Sequence, residues 1–227
     1  LIEISSEIIK KKANNEYLIN NISPVANNKG TGKLTVETSQ VYNFPLPSIY
    51  EAVNARVEGH FQKIWPKVTH SKNLNVDLDK VKNAIYFARL STLIQGILFI
   101  EHFSSKESLE IKIPEVLQNW LSGCIIRSDL LKEIKKIYEE ISTNSSIVEI
   151  EEIQNQLEEK LEDIKTTINE SVESQVAIPV IYSSYNWYIN SSNSFNPSSL
   201  IQAQRDFFGA HMVQLLNEDE FTHLDWV

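Results

Sequence analysis

Hydrophobic residues recur at three- and four-residue steps along most of the chain, the spacing of helices with one buried face. The strongest pattern runs from Asp77 to about Phe103 and is apolar nearly all round in its second half, which predicts the central helix of a bundle. A second pattern, from Ile150 to Val172, places Glu and Asp between its apolar positions. It predicts a bundle helix on the core in preference to a coiled-coil seam. No alternating run is long enough for a sheet, so the predicted fold class is all-α with many helices.

Shorter patterns predict the remaining elements. A helix is expected at 1–9, another at 33–42, and another after Pro114 that breaks at 122–123 before the next begins at Cys124. Ser48-Ile-Tyr-Glu51 has the form of a capping box and precedes a helix that Pro66 should end. The predicted buried face of that helix comprises Ile49, Ala52, Val53, Val57 and Phe61.

The C-terminal region divides into an irregular and a helical part. Tyr182 to Ser199 is rich in Asn, Ser and aromatic residues and is predicted to be mostly irregular. A helix should follow, with Pro197 near its first turn and Gly209 as a left-handed cap, which leaves His211 just past its end. The predicted buried stripe comprises Leu200, Ala203 and Phe207, and another face carries Gln202, Arg205 and Gly209.

Composition narrows the function classes. The net charge of −9 leaves no basic stripe for a nucleic acid, so no nucleic-acid partner is expected. The single Cys124 excludes an internal disulfide framework and fits a reducing, cytoplasmic compartment. The longest apolar run, Leu93 to Ile100, is too short to span a bilayer, and no membrane partner is expected. The only methionine is Met212 and the chain opens on a helical pattern, so we expect a piece cut from a longer protein.

The residues alone suggest two candidate anion sites, each of which also has an ordinary structural interpretation. Arg205 and His211 should meet near one helix end beside two phenylalanines, which suits an anionic, hydroxyl-rich ligand, although a surface arginine and a capping histidine are the commoner interpretation. Lys29-Gly-Thr-Gly-Lys33 could cradle an oxyanion or be a flexible surface loop, and it is not a Walker A motif. Arg56 lies on a helix where most arginines simply reach solvent. The five histidines show no metal spacing with one another or with Cys124, so no metal site is expected.

Longer motifs are specific enough to identify a family. Residues 200–211, Leu-Ile-Gln-Ala-Gln-Arg-Asp-Phe-Phe-Gly-Ala-His, with Phe221-Thr-His-Leu-Asp-Trp226, closely resemble the C-terminal signature of decarboxylating 6-phosphogluconate dehydrogenases. Three further blocks match in order: the start of the chain, Lys29 to Thr35 with Glu51 to Arg56, and Gln95-Gly96 with Trp120 and Gly123 to Ser128. Trp120-Leu-Ser-Gly-Cys124 departs from the family's Trp-Arg-Gly-Gly-Cys. The resemblance implies one helical C-terminal domain over 1–227, with a main bundle at 1–176 and a tail segment at 177–227.

The resemblance also implies ligands and partners. Lys29 and Arg56, assisted by Thr31, match the family's ligands of the phosphate of 6-phosphogluconate. Arg205 and His211 match substrate ligands that the family supplies across a homodimer interface. The family uses NADP to oxidise and decarboxylate this substrate to ribulose 5-phosphate in the pentose phosphate pathway.

The family's catalytic parts have no counterpart in the sequence. It has neither the nucleotide-binding domain with Gly-x-Gly-x-x-Gly nor the Lys-x-x-His-Asn-x-x-Glu-Tyr pattern of the general base and acid. No catalytic or cofactor-binding residue is therefore expected here, NADP should bind a domain outside the chain, and the chain alone should be inactive. The alternative is a non-catalytic helical dimerisation module, a truncated or decayed enzyme.

Overall fold

The computed structural model describes residues 2–27, 29–61, 76–140 and 145–226. Helices dominate these ranges, which confirms the all-α fold class, and the chain divides into two compact units, residues 1–185 and 186–227. The only strands described form two antiparallel pairs of two residues each, β1–β2 and β3–β4. The elements are α1 Ile2–Lys10, β1 Lys12–Ala13, β2 Glu16–Tyr17, α2 Thr31–Val41, α3 Pro47–Phe61, α4 Leu78–Lys106, α5 Ile113–Gly123, α6 Asp129–Glu140, α7 Glu151–Glu158, α8 Leu161–Glu173, α9 Pro179–Ser192, α10 Ser198–Gly209, β3 Val213–Gln214 and β4 Phe221–Thr222.

The predicted central helix is α4. Asp77 caps it, since its side chain accepts a hydrogen bond of 3.0 Å from the backbone N–H of Asp79. The helix packs most extensively on α8, and full burial of each large apolar side chain contributes about 1.5–3 kcal/mol. By length and composition α4 could cross a membrane, but half of its most apolar stretch is buried inside the protein, as in a core helix. The fully buried apolar side chains of α4 are Ala84, Phe87, Leu90, Ile94 and Ile97.

A buried polar cluster joins three helices, α3, α4 and α9. The side chain of Gln95 on α4 accepts from the backbone N–H of Ser48 at 3.1 Å and donates to the Ser48 hydroxyl at 2.8 Å. The Ser48 hydroxyl also lies 2.9 Å from the Ser184 hydroxyl on α9. The predicted capping box at Ser48 is therefore wrong: α3 begins at Pro47, and the Ser48 side chain bonds inward.

The predicted buried face of α3 is also mostly wrong. Phe61 is 61% exposed, Ala52 and Val57 are exposed as well, and the buried residues of α3 are Ser48 and Gly59. The apolar spacing is real, but among the described elements α3 packs mainly on α2 and α4, which leaves much of its apolar face exposed. The predicted end at Pro66 lies outside the described residues.

Three element boundaries differ from the sequence prediction. The pattern from Ile150 to Val172 is two helices, α7 and α8, interrupted at Glu159 and Lys160, so one continuous coiled-coil seam is excluded. The helix expected from Cys124 begins at Asp129, after a turn closed by the Arg127 N–H on the Cys124 carbonyl at 3.1 Å.

The third difference is the segment predicted as irregular from Tyr182, which is helical to Ser192. Serines disfavour helices when their hydroxyls compete with the backbone for hydrogen bonds, but in α9 they bond within the helix. The Ser184 hydroxyl donates to the Val180 carbonyl at 2.8 Å, and that of Ser192 donates to the Tyr188 carbonyl at 2.7 Å. Buried Ser184 also joins the Gln95 cluster, so a tertiary contact offsets the weak local propensity.

Candidate functional site

The first group of predicted ligands surrounds the start of α2. Gly30 caps α2 with a left-handed φ of 88°, so Lys29 immediately precedes the cap and Thr31 is the first helical residue. The guanidinium of Arg56, from α3, donates a hydrogen bond of 2.6 Å to the backbone carbonyl of Asn27. The structure thus brings Arg56 to the loop that carries Lys29 and Thr31, and all three residues are exposed to solvent.

Two glycines allow this loop to lie close against α3. A Cβ added to Gly59 would stand 2.3 Å from the Pro24 carbonyl oxygen, so the backbone before the loop lies directly on α3 at this point. A Cβ added to Gly32 would lie 2.9 Å from a methyl group of Val53 on α3. The loop is therefore held by backbone contact on one side and by α2 on the other.

The close contact at Gly59 leads to a prediction about the stability of the folded protein. We expect Gly59→Ala to lower the free energy of unfolding by about 1–3 kcal/mol, because the methyl group collides with backbone rather than with a flexible side chain. Gly96→Ala is the matched control: Gly96 is also helical, but nothing lies within 4 Å of its added Cβ. It should stabilise the protein by about 0.5–1 kcal/mol through helix propensity. Urea unfolding measures both changes, and equal values for the two variants would contradict the close approach.

The second group of predicted ligands lies at the end of α10. Arg205 is exposed on the helix, and exposed His211 lies two residues past its last residue. The left-handed cap is Ala210, with φ 50°, rather than the predicted Gly209. Gly209 instead makes room for the imidazole, because a Cβ there would lie 2.8 Å from Nε2 of His211. The ring of Phe208 stands edge-on to the same imidazole at 6.0 Å between centroids.

The predicted apolar stripe of α10 is not buried within the second unit. Leu200 is 64% and Phe207 61% exposed, whereas Asp206 is fully buried. Sequence reasoning missed Asp206. One signal could have found it, since Asp206 follows Ala203 by three residues and so lies on the face predicted to point inward.

The Asp206 carboxylate collects four hydrogen bonds from the C-terminal tail. Burial alone would raise the pKa of this carboxyl group, but the four hydrogen bonds that it accepts outweigh burial and hold the pKa well below its ordinary value. The group is therefore ionised at neutral pH. One oxygen accepts from the Leu224 N–H and the Trp226 indole, both at 2.9 Å. The other accepts from His223 Nδ1 at 2.9 Å and from the Met212 N–H at 2.7 Å. The carboxylate therefore ties both ends of the β3–β4 hairpin to α10.

Metal chemistry has no candidate in the described part of the chain, where no three His, Cys, Asp or Glu residues are grouped as metal ligands. The arrangement supports anion binding instead. One group offers a lysine, an arginine, a hydroxyl and the N-terminus of α2, and the other offers an arginine and an imidazole. These groups belong to the two separate units, and we call each a candidate half-site. One half-site comprises Lys29, Thr31 and Arg56, and the other comprises Arg205 and His211.

The fold and the two half-sites define a class of protein, an all-α domain with exposed groups suited to anions. The family model for "6-phosphogluconate dehydrogenase, C-terminal domain" matches residues 1–226. The chain therefore belongs to the 6-phosphogluconate dehydrogenase family, whose members are oxidoreductases, and corresponds to their C-terminal domain.

Individual relatives agree with the family match. The chain is 30% identical over 240 residues to "6-phosphogluconate dehydrogenase, decarboxylating" of Synechocystis sp. and 32% identical over 243 residues to the protein of the same name from Buchnera aphidicola. Each alignment includes 100% of this chain, against 50% and 51% of the relatives. A solved Plasmodium falciparum 6-phosphogluconate dehydrogenase, described as apo and in complexes with NADP+ and 6-phosphogluconate, aligns with a TM-score of 0.89 at 26% identity, over 99% of this chain and 51% of that one. The chain thus spans about half the length of the relatives it matches.

Proposed function

We propose that this chain is the substrate-binding and dimerisation domain of an NADP-dependent, decarboxylating 6-phosphogluconate dehydrogenase of the cytoplasmic pentose phosphate pathway. The whole enzyme would convert 6-phosphogluconate to ribulose 5-phosphate and CO₂, and the chain alone would bind substrate without turning it over. The observation that carries the proposal is the hydrogen bond from Arg56 to the Asn27 carbonyl. It supports a single anion site built from Lys29, Thr31 and Arg56.

The phosphate of 6-phosphogluconate fits the chemistry of that loop. A phosphate dianion is bound by cationic donors that approach from different sides, and Lys29 and Arg56 come from different elements. The Thr31 hydroxyl and the backbone N–H groups in the first turn of α2 would add neutral donors. The remaining donors of the Arg56 guanidinium can bind an anion, since the Asn27 carbonyl accepts from only one of its three nitrogens, which together carry five N–H donors.

Arg205 and His211 would bind the carboxylate and hydroxyl end of the same substrate. We propose that they do so in the site of a partner subunit, as the family resemblance implies. The exposed apolar side chains of α3, Val57 and Phe61, support a homodimer because association would remove them from water. A homodimer would place two copies of each half-site in one molecule.

NADP would bind outside this chain and accept the hydride from the substrate. Dinucleotide-binding domains of the doubly wound type, as the family resemblance implies, have a parallel sheet with a glycine-rich turn between strand and helix. The strands in the described ranges are two residues long and antiparallel, which supports a nucleotide site outside them. The residues proposed here therefore hold and orient the substrate, while hydride and proton transfer use groups elsewhere in the enzyme.

Calorimetric titration of the 227-residue chain with 6-phosphogluconate tests the proposal. We expect binding of 6-phosphogluconate, at least tenfold weaker binding of gluconate, and about a thirtyfold loss of 6-phosphogluconate affinity in Arg56→Ala, since a charge-assisted hydrogen bond contributes about 1.5–3 kcal/mol. Lys33→Ala is the control, because it removes a positive charge from α2 that pairs with Glu37 at 3.4 Å. Equal affinities for gluconate and 6-phosphogluconate would contradict a phosphate site, and sedimentation as a monomer would contradict the dimer.

A further inference from the structure

The tail after α10 is folded back by a single buried side chain. Asp206 is fully buried, and its carboxylate accepts four hydrogen bonds, from the N–H groups of Met212 and Leu224 and from the rings of His223 and Trp226. One donor precedes β3 and three follow β4, so the carboxylate holds both ends of the hairpin. The family match and the proposed substrate ligands leave this residue without a role.

His211 lies between two residues whose backbone N–H groups both donate hydrogen bonds to Asp206. The Ala210 N–H donates to the Asp206 backbone carbonyl at 2.8 Å, and the Met212 N–H donates to the Asp206 carboxylate at 2.7 Å. Ala210 and Met212 both have positive φ, 50° and 63°, an uncommon conformation for residues with side chains that surrounding contacts must stabilise. The backbone of His211 is thus fixed on both sides by the residue that follows Arg205.

We propose that Asp206 is a positioning residue, whose carboxylate fastens the tail to the last turn of α10 and so fixes His211 relative to Arg205 for binding of an anionic, hydroxyl-bearing substrate. The identity of that substrate rests on the proposed function above. The fastening itself does not, since it follows from the hydrogen bonds alone.

The chemistry requires a carboxylate at this position. An ionised carboxylate is an acceptor only, with about four lone-pair sites, and all four donors face it. An asparagine of the same shape would turn an NH₂ donor toward two N–H groups that need an acceptor. Its hydrogen bonds would also be weaker, because bonds to a charged acceptor are roughly twice as strong as neutral ones.

Asp206→Asn in the 227-residue chain tests the fastening. We expect amide hydrogen exchange at Met212 and Leu224 to accelerate at least tenfold, and the nuclear Overhauser contact between the rings of His211 and Phe208 to weaken. Asp219→Asn is the matched control, because Asp219 is an exposed aspartate between β3 and β4 in the same tail. It should change neither readout. Unchanged exchange and an unchanged ring contact in Asp206→Asn would overturn the proposal.

Substrate affinity separates positioning from a merely structural role. If Asp206 acts through His211, Asp206→Asn should weaken 6-phosphogluconate binding about tenfold in the wild-type background but less than twofold in a His211→Ala background. Equal losses in both backgrounds would overturn the positioning role. Gly209→Ala should weaken binding while leaving exchange unchanged, because its methyl group displaces the imidazole and not the Asp206 hydrogen bonds.

Two remaining outcomes are also decisive. If Asp206→Asn does not fold, Trp226→Phe removes one of the four donors and keeps an aromatic ring, and it should accelerate exchange at Leu224 above the Asp219→Asn control. No acceleration would overturn the fastening. If the wild-type chain does not bind 6-phosphogluconate, the proposed function fails, while the exchange and ring-contact measurements still decide whether Asp206 fixes His211.

Discussion

Replacing Arg205 with alanine should weaken binding of 6-phosphogluconate about a hundredfold, which corresponds to about 2.7 kcal/mol. The guanidinium is exposed on α10 and can offer a bidentate fork to a carboxylate or phosphate. Because the side chain is exposed, its loss should change the free energy of unfolding by no more than about 0.5 kcal/mol. Calorimetric titration and urea unfolding of the same preparation separate these two effects.

Two further variants sharpen the test of Arg205. Arg205→Lys keeps the charge and loses the planar fork, so its affinity should fall between those of the wild type and Arg205→Ala. Gln204→Ala alters an exposed neighbour on α10 and should bind as the wild type does. Wild-type affinity in Arg205→Ala would remove Arg205 from the proposed substrate site, while leaving the loop at Lys29 and Arg56 to be judged by its own variants.

Replacing Gln95 with alanine should lower the free energy of unfolding by about 3 kcal/mol. Gln95 is fully buried, and its amide satisfies both the backbone N–H and the hydroxyl of Ser48. Alanine would leave the Ser48 N–H without this acceptor and would open a cavity where α3, α4 and α9 meet. The Ser48 hydroxyl would keep its contact to the Ser184 hydroxyl.

Urea unfolding at one protein concentration measures the effect of Gln95→Ala. Gln40→Ala, on the exposed face of α2, makes the same chemical change at the surface and should stay within about 0.5 kcal/mol of the wild type. A similarly small change for Gln95→Ala would mean that the three helices do not depend on the buried amide. A large change would mean that the packing of α3, which carries Arg56, depends on the buried amide of Gln95.

The sequence could predict α4 because the pattern there is long, is apolar nearly all round in its second half and begins after the capping residue Asp77. It could not predict α9, because the serines that weaken the local helix propensity are satisfied within the helix, and Ser184 by a residue 136 positions away. Local patterns carry no information about such a partner. Propensity therefore gave the wrong answer where a tertiary contact decided the structure.

For the candidate site, too, some features could be predicted from the sequence and others could not. The apolar periodicity of α3 and α10 predicted one buried face on each helix, but Phe61 and Leu200 are exposed within their own units, since periodicity does not say what covers a face. The motif resemblance supplied Lys29, Arg56 and Arg205, which no periodicity would single out. Asp206 escaped both approaches, because its role depends on donors that lie six to twenty residues further along the chain.

The hydrogen bond between Arg56 and Asn27 has a consequence for the entropy of binding. A free surface arginine carries about 2 kcal/mol of rotamer entropy, which is lost when a ligand orders it. Arg56 has already given up part of that freedom to the Asn27 carbonyl, so a phosphate bound as we propose would meet a preorganised donor. Since the acceptor is a backbone carbonyl, this preorganisation does not depend on the side chain at position 27. A substitution at position 27 that keeps the backbone path should therefore keep this hydrogen bond, whereas a change in loop length should break it.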